Sequence, residues 1–228
     1  MIIGCRDLTK KYLAAGKTTT AVDHVSLEVE RGEFVVILGH SGSGKTTLLS
    51  LIGGLTTPDS GEVYIDGVEN WHQTDVALTR MRNNKIGFIF QFASLVPTLT
   101  VLENILLPLS FAKIPMGERR NAISILEQVG LADKANAFPA QLSGGQQRRI
   151  AIARAFINKP EIILADEPTG DLDENTENDI LNIFKSYNKQ GTTFMVVTHN
   201  SDLAKSQDNT RILTMSQGAL SENNEYKV

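Results

Sequence analysis

Two stretches of the chain combine residue types suited to holding phosphates and a metal ion. Gly39-His40-Ser41-Gly42-Ser43-Gly44-Lys45-Thr46 has the spacing G-x-x-x-x-G-K-[ST]. Its glycines let the backbone wrap closely around an anion, with N–H groups pointing inward. A helix opening after the loop would add its positive end to the same site. In such a loop Lys45 reaches the β- and γ-phosphates of a nucleotide and Thr46 offers its hydroxyl to Mg²⁺, with Thr47 beside it. Farther along, Ile162-Ile163-Leu164-Ala165 runs into Asp166 and Glu167. Ligands of open α/β sheets bind beyond the carboxyl ends of the strands. Asp166 is therefore placed to bind Mg²⁺ through water, and Glu167 to polarise an attacking water as general base. Two acids at a strand end can also be merely solvated or cap the next helix. The phosphate loop in the same chain favours the chemical reading.

These residues need elements to position them. Phe34–Leu38, the apolar run before the loop, reads as a strand buried on both faces, and residues 45–53 read as the helix after it. Further strands are expected at 2–8, 25–29, 63–67, 86–90, 162–165, 193–198 and 211–215, with a helix over about 174–188. From about 92 to 155 helical spacing takes over, as in Ile123, Leu126, Val129 and again Ile150, Ala153. Pro97, Pro108, Pro115 and Pro139 punctuate that stretch. The expected architecture is α/β: a core of 1–91 and 156–228, with a helical subdomain of about 92–155 inserted. Residues 221–228 are polar and are expected to fray.

Composition narrows the function classes. The chain has 228 residues, 41% hydrophobic and 21% charged, in the ordinary range for a globular protein. A net charge of −4 argues against broad nucleic-acid binding, which needs a basic surface. The single cysteine, Cys5, permits no intrachain disulfide. Ile2-Ile3-Gly4-Cys5 looks like a lipoprotein cleavage box, yet four residues precede Cys5 where a signal needs an apolar stretch of about 7–15, so the likeness is read as accidental. The longest apolar runs fall far short of the roughly 20 residues of a spanning helix, so a membrane role would require a partner subunit.

Other motifs carry a family resemblance. Leu142-Ser143-Gly144-Gly145-Gln146 matches the LSGGQ signature of ABC ATPases and precedes the strand bearing Asp166, in the family's order. Gln91 resembles the Q-loop glutamine, Asp173 the D-loop aspartate, and His199 the switch histidine. Tyr12 stands where the family places an aromatic against adenine. One departure is His40, where many such transporters carry proline; the backbone does the binding there, so His40 is given no catalytic role. The resemblance covers nearly the whole chain. It implies a P-loop NTPase fold of the ABC ATPase type: a mostly parallel core sheet, an N-terminal antiparallel β part and an inserted helical subdomain.

It also implies a mechanism. Ser143-Gly144-Gly145 opens a helix and forms a second anion site. The family pairs that site, across a head-to-tail homodimer, with the phosphate loop of the other copy, so that ATP lies between them. Gln91 would sense the γ-phosphate and Mg²⁺, and His199 would contact the γ-phosphate. The segments around Gln91, at 99–105 and at 167–173 resemble the branch of macrolide-export, lipoprotein-releasing and antimicrobial-peptide-resistance ATPases. Members of that branch work at the cytoplasmic face of the cell membrane, bound to an integral membrane subunit with few spanning helices and a large external domain. Within 92–115, residues 92–99 are the expected docking surface. Two alternatives stand beside the transporter motor. One is a soluble ABC ATPase acting on DNA or ribosomes, disfavoured by the single ATPase unit, the lack of long coiled coils and the negative charge. The other is a scaffold that binds ATP without turnover, disfavoured by intact Lys45, Asp166, Glu167 and His199.

Overall fold

The computed structural model describes residues 1–14, 16–111, 118–170, 172–205 and 209–222. Pro115, Asp171 of the 167–173 segment and residues 223–228 lie outside these.

Period-two alternation turns uninterrupted apolar runs into the floor of two cores. In β3 (Phe34–Leu38), β7 (Ile162–Asp166) and β8 (Thr193–Thr198), successive side chains point to opposite faces. Phe34, Val36, Ile163, Ala165, Phe194 and Val196 enter one hydrophobic cluster. Val35, Ile37, Ile162, Leu164, Met195 and Val197 enter the other. A strand covered on both sides needs apolar residues at every position, which is why these runs show no polar alternation.

The strands belong to a sheet of order β10-β9-β3-β8-β7-β6, with β6 at Ile86–Ile89, β9 at Thr210–Ser216 and β10 at Ala219–Glu222. β3 pairs in parallel with β8 and β9, and β7 in parallel with β8 and β6. β10 is antiparallel to β9. A second, antiparallel sheet has the order β2-β1-β4-β5, with β1 at Ile3–Ala14, β2 at Lys17–Val29, β4 at Ser60–Ile65 and β5 at Val68–Glu69. Its inner residues, among them Ile3, Cys5, Leu8, Val25, Val63 and Ile65, pack into the second cluster together with Leu48, Leu51 and Ile52 of α1 (Lys45–Ile52). Cys5 sits in that apolar layer, and burial pushes its thiol pKa up to about 12, so it is an inert packing group.

Between β6 and β7 the described residues form helices: α3 (Val101–Leu106), α4 (Glu118–Gln128), α5 (Gly144–Phe156) and short 3₁₀ turns. Their apolar faces, including Val101, Ile105, Leu126, Ile150 and Phe156, join the first cluster. α6 (Glu174–Lys189) adds Ile180, Leu181 and Phe184 to it. α3 begins with a reciprocal capping box between Thr100 and Glu103.

The sequence reading needs three corrections. The N-terminal strands are much longer than 2–8 and 25–29, because they continue as a polar, solvent-exposed ribbon with no apolar alternation to mark it. α2 (Asp75–Lys85) escaped notice because it buries little besides Leu78; its helix is set by the Thr74 cap, which accepts from Ala77 N, and by Asp75 in the first turn with Arg82 and Lys85 in the last. The brief α7 (Ser201–Lys205) and edge strand β10 were likewise too short to leave a pattern.

Candidate functional site

Parallel strands in adjacent positions deliver their following loops to the same edge of the sheet. β3 leads into the loop 39–44, β8 into His199, β7 into Asp166 and Glu167, and β6 into Gln91. The loops enclose a cleft of about 680 Å³ lined by Tyr12, residues 40–47, Gln91, Asp166, Glu167 and His199, and also by Arg148 and Gly170. Gly39, next to His40 in the chain, is not part of this lining.

The glycine loop fits a closely bound anion. A Cβ on Gly44, whose φ is +108°, would come within 1.9 Å of the Ala21 carbonyl oxygen; one on Gly39 would come within 2.4 Å of the Met215 carbonyl oxygen. The backbone can take this path only without side chains at those positions. α1 then starts with no side-chain cap and no acid in its first turn, leaving its positive end facing the cleft. Lys45 is buried, and its Nζ donates to the carbonyls of Gly39 (2.6 Å) and His40 (3.0 Å). Those bonds hold the ammonium over the loop.

Thr46 Oγ1 donates to Asp166 Oδ2 at 2.7 Å. Burial raises the Asp166 pKa, against the hydrogen bond from Thr46, which lowers it. A desolvated carboxylate beside a hydroxyl gains most from a cation, and hard oxygen donors suit Mg²⁺. The residues present therefore fit that metal.

Glu167 has a left-handed backbone, φ +46°. For a residue with a side chain this costs on the order of 1–3 kcal/mol and persists only where the surroundings fix it. Here Glu167 N donates to Val197 O at 2.9 Å, Thr198 Oγ1 donates to Glu167 Oε2 at 2.8 Å, and His199 Nδ1 lies 2.9 Å from Glu167 Oε1. The turn swings the carboxylate off the strand axis into the cleft, hydrogen-bonded to the exposed His199.

Ser143, Gly144, Gly145, Gln146 and Asp173 do not line this cleft. Ser143 caps α5: its Oγ accepts from Gln146 N (3.3 Å) while Gln146 Oε1 accepts from Ser143 N (2.9 Å). Gly144 and Gly145 border a separate hollow of about 250 Å³ that also touches Gln91 and Gly170. Asp173 caps α6, accepting from Thr176 N at 3.0 Å.

Arg148 was missed by the sequence reading. It is 7% exposed and its Nη1 donates to the carbonyls of Phe90 (2.8 Å) and Gln91, while Nη2 donates to Gly170 O (3.3 Å). One guanidinium thus ties the helix that starts at the signature to the loop of Gln91 and to the turn after Glu167. A signal was present: Ala151, Ile152 and Ala155, all buried, share its helical face, and an arginine there needs acceptors. Arg154, six residues along, likewise donates to Ser94 O and Ala93 O (3.0 and 3.1 Å).

Known proteins resemble the chain throughout. The family described as ABC transporter matches residues 22–170. A lipoprotein-releasing system ATP-binding protein, LolD of Pseudomonas fluorescens, is 42% identical over 221 residues, 96% of each chain. An uncharacterized ABC transporter ATP-binding protein of Thermotoga maritima is 49% identical over 198 residues, 86% of this chain and 85% of the relative. Among solved structures, the dimeric post-hydrolysis state of the ATP-binding cassette MJ0796 of Methanocaldococcus jannaschii, bound to ADP and Pi, aligns with a TM-score of 0.89 at 42% identity, covering 96% of this chain and 98% of that one. A phosphate loop, an acid pair and a signature helix set on this fold, together with these matches, place the chain in the ABC transporter family, as a subunit that binds and hydrolyses ATP.

Proposed function

We propose that two copies of this chain close head-to-tail on ATP and so drive a separate membrane subunit. The observation that carries the reading is the division of the anion-binding elements. The loop with Lys45, the Thr46–Asp166 pair and the Glu167–His199 pair share one cleft, whereas Ser143, Gly144 and Gly145 lie outside it. A nucleotide held by the first set leaves its γ-phosphate facing out, toward a second copy's Ser143-Gly144-Gly145-Gln146. The MJ0796 cassettes, 42% and 43% identical to this chain, are dimeric, which supports the pairing of two copies.

The roles are read from the family resemblance together with where the cleft places each residue. The amides of 39–46 and the Lys45 ammonium hold the phosphates. Thr46 and Asp166, with Gln91 at the rim, would hold Mg²⁺, which neutralises phosphate charge as it develops. Glu167 takes the proton of the attacking water, and His199 keeps that carboxylate aimed while contacting the γ-phosphate. Tyr12 offers its ring to the adenine. Asp173, at the start of α6, faces the second copy. The test is Glu167→Gln with ATP: hydrolysis stops and light scattering reports a dimer. A monomer under those conditions refutes the closure.

Among the described residues no helix is long and apolar enough to cross a membrane, so attachment would run through the partner subunit. Phe90 and Phe111 (74% exposed) line a groove of about 400 Å³ together with Leu55, Phe88, Leu107 and Pro108, and Phe92 (77% exposed) borders the smaller hollow beside Gly144 and Gly145. We place the docking surface there, with residues 92–99 at its edge and the inserted helices (about 92–155) carrying it. Leu95 packs inward on the core, and Asn104 holds the carbonyls of Val96, Leu99 and Thr100 from beneath, so Phe92 is the exposed anchor. Loss of co-purification with the membrane subunit in Phe92→Asp is the expected result; retention moves the docking site elsewhere. The branch that the motifs resemble implies a partner with few spanning helices and a large external domain, at the cytoplasmic face of the cell membrane.

A further inference from the structure

Glu177 lies one turn into α6, and neither the motifs nor the roles above use it. Its Oε1 accepts from Thr169 Oγ1 at 2.9 Å and from Asn200 Nδ2 at 3.2 Å. Thr169 is buried two residues past Glu167, and Asn200 directly follows His199. Asn200 N donates to Thr198 Oγ1 at 3.0 Å, and Thr198 Oγ1 donates to Glu167 Oε2 at 2.8 Å. The hydrogen bonds thus close a ring that runs from Glu177 through Thr169 and the turn to Glu167, then through Thr198 and Asn200 back to Glu177. The backbone ladder between β7 and β8 makes its last link at Glu167 N to Val197 O, so past that point side chains join the two loops. A carboxylate with two donors is well suited to this, since charge-assisted bonds are shorter and stronger than neutral ones. The helix carrying Glu177 is the one capped by Asp173.

We propose that Glu177 is a positioning residue: it fixes the loop of Glu167 against the loop of His199 and couples both to the start of α6. Movement of Asp173 against a second copy would thereby reach the water-activating pair. This rests on the reading of Glu167 as general base.

The test uses steady-state ATP hydrolysis by the full chain, with nucleotide affinity and melting temperature alongside. Glu177→Ala lowers kcat by about tenfold, the scale of one lost bond to a charged group, and leaves KM for ATP within about twofold. Glu177→Gln restores most of the rate, because its amide oxygen still accepts from both Thr169 and Asn200. Wild-type kcat in Glu177→Ala overturns the proposal, as does a KM that rises in step with the loss, or a Glu177→Gln as slow as the alanine variant. Should Glu177→Ala melt below the assay temperature, Thr169→Val and Asn200→Ala break the same bonds from the far side. Each then gives the kcat loss, and full activity in both overturns the proposal. Glu167→Gln separates the two levels: normal turnover there removes the general-base reading itself, whereas an inactive Glu167→Gln beside a fully active Glu177→Ala removes the brace alone.

Discussion

Two helices of this molecule begin with glycine-rich segments, and their N-termini are finished in opposite ways. α1 starts at a glycine with φ +108°, with no capping side chain. α5 starts at Ser143, in ordinary extended geometry, inside a complete capping box with Gln146. Around α1 the backbone is pressed against Ala21 and Met215 so closely that no Cβ fits; around Gly144 a Cβ would meet nothing within 4 Å. The first terminus lacks partners of its own and is shaped by packing, so it binds an anion without help. The second is self-satisfied and open, so it can be offered to a phosphate that another copy carries. A site that must act alone is built into the core, whereas a site that must meet a partner is left accessible and stable without it.

The sharpest way to break this contrast is the same substitution at both places. Gly44→Ala puts a methyl on the Ala21 carbonyl and forces the loop off its path. Strain of about 1–3 kcal/mol at such a position corresponds to roughly a 5- to 150-fold loss of ATP affinity, read by calorimetric titration. Gly144→Ala places its methyl in open space at a helical position and leaves the ATP affinity of the single, undimerised chain unchanged. Equal losses in the two variants would end the distinction.

Arg148 joins the two regions and shows where sequence reading stops. The parallel strands, the loop and the acids were legible because their residues act where they stand: an apolar run gives a buried strand, and loop chemistry follows at its end. Hence Phe34–Leu38 and Thr193–Thr198 came out with their bounds intact. The apolar helical face around Arg148 hints that it is buried, but the acceptors it reaches, about sixty residues away in sequence, leave no local pattern. The exposed ribbon of β1 and β2 was hidden for the reverse reason, since it buries too little to impose alternation. Arg148→Met should leave the carbonyls of Phe90, Gln91 and Gly170 without this donor, at a cost of about 1–3 kcal/mol in unfolding free energy by denaturant titration. Arg148→Lys should not restore it, because one ammonium cannot reproduce the two-pronged reach of the guanidinium. Full rescue by lysine would reduce the contact to simple charge.

At Ser143 the expected effect is smaller and of two kinds. Ser143→Ala removes the side-chain half of the capping box and should cost about 0.5–2 kcal/mol of stability. Ser143→Asp keeps a capping acceptor, so its stability should stay near wild type, yet it sets a negative charge where a phosphate must come. ATP-driven dimerisation, followed by light scattering, should therefore fail more completely in the aspartate variant than in the alanine one. The reverse order would mean that Ser143 serves the fold and not the interface.

Tyr12 provides the mildest test, and it concerns how far the cleft extends. The ring is 43% exposed near the end of the β1–β2 ribbon, at the rim of the cleft, with Lys10 Nζ 5.7 Å from its centroid. Nothing buried depends on it, so its replacement should leave the melting temperature where it is. Ring stacking on a purine contributes about 0.5–1.5 kcal/mol beyond burial, which is roughly a two- to thirteenfold weakening of ATP in Tyr12→Ala. Tyr12→Phe should bind as wild type, since the face of the ring does the work and the hydroxyl does not. Inorganic triphosphate, which has no base, should bind Tyr12→Ala and wild type alike. If the alanine variant weakened triphosphate as much as ATP, the residue would be shaping the phosphate loop, and the cleft would end short of the base.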